Sequence, residues 1–417
     1  MGSLSLWVIL VGILASVGCS LVGCFLVLRR MSLLGDAISH AVLPGIAVGF
    51  IFSGSIHGAG IFLGALATGM LTAYLTQTLS RAVKVAEDAS LGVVFTSLFA
   101  LGVVLMHQQV DLDPGCVLYG EIQYTDLQKV PFLGMNIPEP VIQLSGMLIV
   151  VLFIIIVLWK EWKLASFDPE LATALGFRAN LLHYILMAIT AGMTVAAFRS
   201  VGSILVVAML IVPAATAQLL THRLSTMLVV ASLLGSFASV SGYALAVHWN
   251  TSVAGMMAVA TGAVFLLTFL LAPQHGIVAK LLKQLRLSLR ISREDILGEL
   301  YRLHEQGQPA VPRTSIASIV GFKPQISLRQ LISQQYVEAI GDTLRLTTQG
   351  SAQAQKLVRA HRLWETFLDK NVALPSDHLH APAHQMEHYV GPDLMEDLAK
   401  DLDQPQADPH GRAIPTG

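Results

Sequence analysis

Residues 361–388 read HRLWETFLDKNVALPSDHLHAPAHQMEH and hold five histidines together with Glu365, Asp377 and Glu387. His361 and Glu365 are four apart, as are His380 and His384, and Glu387 and His388 follow at helical spacing. Side chains three and four apart share one face of a helix. Imidazole nitrogens mixed with carboxylates suit manganese, iron or zinc rather than calcium or magnesium, which take oxygen ligands. A second pair stands in MSLLGDAISHAVLPG, where Asp36 and His40 are again four apart, here within an apolar segment. Ionisable groups in such segments are costly unless paired or hydrated, and they mark ion paths. Pro44 and Gly45 follow at once and are expected to break the helix and free backbone groups, as transport helices do. His248, in ALAVHWNTS, is the other polar candidate, and by spacing alone it reads as an interfacial residue at a helix end.

These ligands sit in two unlike regions. The 417 residues are 54% hydrophobic and 13% charged, against about 25% charged in an ordinary soluble domain. Residues 1–280 hold 11 Lys/Arg and 11 Asp/Glu, and residues 281–417 hold 15 and 16 in half the length, so a membrane part precedes a water-soluble part. The net charge of −1 selects no partner. Cys19, Cys24 and Cys116 all lie in the apolar part, so the tail can build neither a disulfide framework nor a CxxC zinc motif. No G-x-x-x-x-G-K-[ST] phosphate loop is present, and no residue set suggests covalent catalysis. The chain reads as a non-enzyme.

Apolar segments fall near 5–28, 36–53, 57–79, 89–107, 141–159, 181–198, 201–220, 225–247 and 252–272. The first lacks a basic stretch before it and continues to Leu28, which fits a spanning helix better than a signal peptide. Arg29 and Arg30, Arg81 and Lys84, Lys160 and Lys163, Arg223, and Lys280 and Lys283 mark alternate ends, which puts the N-terminus outside and the tail in the cytoplasm. If the short second segment is re-entrant, the count is eight and the N-terminus lies inside. With the N-terminus outside, the loop at 111–140 faces outward. Small residues, as in GAGIFLGALATGM, read as helix-packing positions.

Two polar stretches carry further signals. In DPELATALGF, Asp168 reads as an N-cap, Pro169 as the first helical residue and Gly176 as the stop, which predicts a short helix between spans. In the tail, SREDILGELYRLHEQG places Ile296, Leu297, Leu300 and Leu303 on one face and ends at Gly307. Residues 313–350 read as helix, turn, helix and two strands around Gly341-Asp342, a winged helix-turn-helix outline. Residues 351–372 read as a long helix, and APAHQMEHYV lies on another.

RRMSLLGDAISHAVLPGIAVGF, EDASLGVVFTSLFALGVVL, DPELATALGF and SVGSILVVAMLIVPAATAQLL, in order over about residues 5–273, closely resemble the permease family of ABC importers for manganese, zinc and iron. The resemblance implies that Asp36, with His40, faces the translocated ion, and that His248 stands where manganese-type members carry a histidine. It also implies that Asp168, Pro169, Glu170, Leu175, Gly176 and Phe177 form the coupling helix that docks on a separate ABC ATPase subunit. The implied setting is the bacterial inner membrane, surrounded by lipid. The implied partners are an extracytoplasmic metal-binding protein and a second permease protomer, identical or different.

HRLWETFL, the spacing HxxxHxxEH and the closing DPHGRAIP resemble, over about 291–415, the metal-dependent regulators of the diphtheria-toxin-repressor type. That resemblance implies one metal site from His361, Glu365 and His380 and another from Asp295, His384, Glu387 and His388. His384 stands where the family usually has Cys or Glu. The recognition segment FKPQISLRQLISQQYV is slightly short. Arg329, Gln330 and Gln334 either reach bases and phosphates of operator DNA or form a solvated helix face, and both readings stay open.

The expected architecture is therefore an all-α polytopic membrane protein with eight or nine transmembrane helices, followed by a cytoplasmic winged-helix plus helical metal-binding and dimerisation domain. Its expected parts are 1–280, 284–350 and 351–417. The expected function is a permease subunit of an ATP-driven importer of divalent manganese, iron or zinc with a metal-responsive tail. The tail either binds DNA or senses metal to slow transport. A membrane-tethered regulator without transport is the third reading.

Overall fold

The computed structural model describes residues 5–53, 59–109, 120, 122–127, 129–132, 135–274, 276–315, 324–372, 375 and 378–416. Cys116, Asp377 and most of the first helix of the expected helix-turn-helix lie outside these residues. The chain divides into two compact units, Met1–Ala279 and Lys280–Gly417.

The first unit contains α1 (Leu6–Leu28), α2 (Leu33–Ala41), α3 (Leu43–Ser53), α4 (Ala59–Val83), α5 (Glu87–Gln109), α6 (Glu139–Val157), α7 (Trp159–Phe167), α8 (Pro169–Ala174), α9 (Ala179–Val201), α10 (Ser203–Leu220), α11 (Leu224–Trp249) and α12 (Val253–Leu271). Among the described residues, nine helical stretches are long and apolar enough to cross a membrane, with α2 and α3 together forming one, Leu33–Ser53. The chain is a multi-pass membrane protein.

Helix α1 is the axis of this bundle and packs against α6, α9, α10 and α11. Its stripe Val11, Ala15, Cys19, Val22 and Leu26 is fully buried, at steps of three and four. Lipid tails are as apolar as these side chains, so close backbone approach must supply much of the attraction. Gly23 permits this: a Cβ there would stand 1.7 Å from the Leu210 carbonyl oxygen of α10. Gly45 of α3 and Gly64 of α4 meet in the same way, and a Cβ on either would stand 2.1 or 2.3 Å from the other's carbonyl oxygen.

The break expected at Pro44 and Gly45 falls two residues earlier, at Val42. Pro44 has no N–H for the carbonyl of His40, so the ladder fails before the proline rather than at it. The described residues of the 111–140 loop hold a 3-10 turn over Ile122–Leu127 and a hairpin of β1 (Lys129–Phe132) and β2 (Met135–Pro138), with Val130 opposite Ile137.

In the second unit the helix expected over 292–306 is the end of a longer one, α13 (Ile277–Glu305). It is followed by β3 (Val311–Pro312), α14 (Pro324–Ser333), β4 (Val337–Ile340), β5 (Thr343–Leu346), α15 (Thr348–Val372), α16 (His380–Met386) and α17 (Pro392–Asp401). The strands form an antiparallel sheet in the order β3-β5-β4, turning through Gly341 at φ +62°. Ile296, Leu297 and Leu300 of α13 pack on Leu328, Leu331, Val337, Leu344 and Ala354. A smaller core joins Leu363 of α15 to Leu398, Ala399 and Leu402. Thus α15 runs across residue 350 and contributes to both cores.

Candidate metal centres

The tail gathers two groups of ligand atoms, each group lying within 4.8 Å: His361, Glu365 and His380, and Asp295, His384, Glu387 and His388. Each part comes from a different element. Helix α15 holds His361 and Glu365 on one buried face, α16 supplies His380 and His384, and α13 supplies Asp295. Glu387 and His388 were expected on the same helix as His384. Instead, α16 ends at Met386, and these two residues lie in the following turn, where Tyr389 N donates to Met386 O. Glu387 keeps helical backbone angles, so its side chain still stands beside His384.

In the first group, His361 Nε2 lies 3.0 Å from Glu365 Oε1 and 2.9 Å from His380 Nδ1, and His380 Nδ1 lies 3.2 Å from the same Glu365 oxygen. Two ring nitrogens and one carboxylate oxygen thus converge on a point. In the second, His384 Nε2 and His388 Nε2 lie 3.6 and 3.2 Å from Asp295 Oδ1, and His384 Nδ1 lies 2.8 Å from Glu387 Oε1. Asp295 Oδ1 is buried without a hydrogen bond of good geometry. A buried acceptor left in that state is costly, and a cation among these N and O donors would satisfy it. The residues therefore fit a divalent transition metal.

Two neighbours were not singled out from the sequence. Glu294 Oε2 lies 2.8 Å from His388 Nδ1, the nitrogen facing away from Asp295, and so fixes the ring. Arg302 Nη2 lies 3.5 Å from Glu387 Oε2. A lone glutamate beside Asp295 reads as helix surface, and only its adjacency hinted at a role. The closing segment is anchored separately: Arg362 forms a two-pronged pair with Glu305 and donates to Ala413 O, while Asp408 Oδ1 accepts from the backbone N–H groups of His410 and Arg412.

Carboxylates raise the pKa of two of these histidines, His388 and His361. Burial opposes charge on His388, but the close carboxylates of Asp295 and Glu294 and the charge of Glu387 outweigh it and push its pKa up to about 9. Burial likewise opposes charge on His361, and Glu365 and Glu387 raise its pKa. Burial resists ionisation of Glu387, yet His361, His384 and Arg302 hold its pKa down to about 2. His380 goes the other way, lowered first by burial and also by the charge of His361.

In the first unit, Asp36 and His40 share a face of α2, with Oδ1 and Nε2 3.5 Å apart and both side chains partly exposed. The His40 ring leans on Phe95 and Phe99 of α5. His248 stands exposed in the last turn of α11, and no ion pair joins it to Asp36 or His40 among the described residues. Asp168 caps α8 by accepting from Leu171 N at 2.9 Å, Pro169 is its first residue, and Gly176 ends it at φ +88°. Glu170 is exposed, as are Leu171, Leu175 and Phe177, an apolar edge on a polar element. Of the DNA candidates, Arg329 is exposed on α14 and Gln330 is half-buried, while Gln334 lies past the helix end and accepts from Arg293 Nη1 at 3.4 Å.

Residues 2–272 match the ABC 3 transport family. The chain belongs to that family. Residues 347–416 match the metal binding and dimerisation domain of iron dependent repressors, so the tail carries a domain of that kind. A manganese transport system membrane protein of Bacillus subtilis is 46% identical over 290 residues, covering 68% of this chain and 98% of that protein. A zinc transport system membrane protein of Treponema pallidum is 37% identical over 84% of this chain and 97% of its own length. Among solved structures, PsaBC from Streptococcus pneumoniae in complex with Fab aligns with a TM-score of 0.56 at 33% identity, over 64% of this chain and 92% of that chain.

Proposed function

We propose that this chain is the transmembrane permease subunit of an ATP-driven importer of a divalent transition metal, manganese or zinc first, with a tail that responds to cytoplasmic metal. The observation that carries the reading is the Asp36–His40 pair on the first half of a broken span, in a chain 46% identical to a manganese transport membrane protein. A carboxylate and an imidazole on one helix face offer a dehydrating cation the charge and nitrogen it needs. An extracytoplasmic binding protein delivers the ion. Two permease protomers pass it inward, and a separate ATPase subunit, docked through α8 and its apolar edge, drives the cycle. Uptake of radioactive manganese and zinc by proteoliposomes holding the chain and its ATPase tests this. Absence of ATP-dependent uptake of either ion would leave the tethered-regulator reading.

For the tail, one observation favours gating of transport over DNA binding: Asp295 lies on α13, the helix that begins six residues after the last span ends. Metal bound there acts on an element continuous with the transport chain. The exposed Arg329 of α14 and the β4–β5 hairpin beside it favour a DNA-reading role instead. Deleting 284–417 separates the two. Gating requires uptake that persists but no longer slows when cytoplasmic metal rises. A repressor requires metal-dependent preference of the full chain for one operator over random DNA, weakening with salt.

A further inference from the structure

The first half of α13 serves neither metal group. Over Ile277–Leu289 it exposes Ile277, Val278, Leu281, Leu282 and Leu285, each 38–53% accessible. At 3.6 residues per turn these fall on one face, and Lys280, Lys283 and Arg286 fall on the opposite one. Leu287 is the one exposed apolar residue of this half on the cationic side. No Asp or Glu occurs between Gly276 and Arg293. Among the described residues none of the three cations forms an ion pair, whereas Arg290, one turn on, is already held by Glu294.

An unpartnered apolar face of this size on a soluble helix is unstable in water and calls for a cover. Two features identify it. The stripe begins six residues after the end of α12, and the link is folded short by Gly276 N donating to Ala272 O at 2.9 Å, so the helix starts at the membrane boundary. The opposite face carries Lys280, Lys283 and Arg286 and no carboxylate, which matches the negative charge of lipid phosphates. We propose that Ile277–Leu289 is an in-plane amphipathic anchor that seats its apolar face among the acyl chains of an anionic membrane surface, with Lys280, Lys283 and Arg286 on the headgroup phosphates. This rests on α12 being a span and not on which ion the chain carries.

The test uses the full chain in lipid nanodiscs containing phosphatidylglycerol, with spin labels placed singly at 281, 282, 285, 283 and 286 in a background with its three cysteines replaced by serine. Collision with oxygen reports hydrocarbon, and collision with a nickel chelate reports water. The expected oxygen-to-nickel ratio is several-fold higher at 281, 282 and 285 than at 283 and 286. That contrast should shrink in pure phosphatidylcholine, and the ratio at 281, 282 and 285 should fall after Lys280→Glu, Lys283→Glu and Arg286→Glu together. Nickel access at all five positions overturns the proposal. So does exclusion of both reagents at 281, 282 and 285, which means a protein covers the face, and so does a contrast indifferent to charge. Should the cysteine-free chain fail to fold, the unaltered chain is reconstituted with a photoreactive phosphatidylglycerol. Adducts within 277–289 are expected, and their absence alongside labelled spans overturns the proposal equally.

Discussion

Glu387 Oε2 lies 2.6 Å from His361 Nδ1, while Glu387 Oε1 lies 2.8 Å from His384 Nδ1. One buried carboxylate therefore touches both ligand groups, and each has a stake in its charge. Glu387→Gln keeps the shape and removes the charge. The group with Asp295 and His388 loses a ligand. The His361 group loses the partner that orients its ring, and removal of such partners typically costs about 10–100-fold in metal affinity. Calorimetric metal titration of the full chain should show both groups weakened. An unchanged affinity at His361, Glu365 and His380 would show that the two groups act independently.

The pH dependence of metal binding follows from His388. A histidine binds metal through a neutral ring nitrogen, and here Asp295, Glu294 and Glu387 raise the pKa to about 9. At neutral pH the metal must expel a proton, so apparent affinity should rise by about tenfold per pH unit and level off only near 9. The sign for the metal-free fold is opposite. With the folded pKa above the unfolded value of about 6.5, the contribution of His388 is full below that value and is lost as pH rises through about 9. Titrations with manganese from pH 6 to 9 check the first statement and thermal melts of the metal-free chain the second. An affinity flat above pH 7 would remove His388 from the ligand set.

The capped α8 separates two alanines two residues apart. Ala172 is fully buried, whereas Ala174 is exposed beside Leu175. A cysteine at 174 should crosslink to the ATPase subunit, and one at 172 should not, because its side chain points into the protein. Mass spectrometry of the crosslinked complex reads this out. Labelling of position 174 by an impermeant reagent added outside intact cells would reverse the topology on which the coupling role depends.

Much of this arrangement is written in residue spacing. The apolar spans, the Asp168 cap with its Gly176 stop, and the helical steps of His361, Glu365, His380 and His384 all depend on local chemistry. Local periodicity cannot show distance between elements. Nothing in the spacing of α13 places Asp295 beside His388, and only the resemblance to the repressor family suggested it. Glu294 escaped notice because its role exists only once His388 folds back against α13. The backward extension of α13 to Ile277 was legible, since the stretch from there to Arg290 has no Gly or Pro and alternates apolar and basic faces. Its proximity to the last span disguised it as a simple flank.

The transport path is tested at Asp36. Its carboxylate is the acidic group of the Leu33–Ser53 span, partnered only by His40 at 3.5 Å among the described residues. Asp36→Ala removes the charge that compensates a cation for its lost hydration shell, so uptake should fall to near background with unchanged membrane expression. Asp36→Asn retains shape and a hydrogen-bond acceptor and should fail almost as fully if charge is the operative property. His248→Ala removes an exposed imidazole at the end of α11 and should reduce uptake less. Initial rates of radioactive manganese and zinc uptake, normalised to membrane-inserted protein, measure all three. Uptake by Asp36→Ala within about twofold of the parent, less than 0.5 kcal/mol of barrier, would exclude the carboxylate from the ion path.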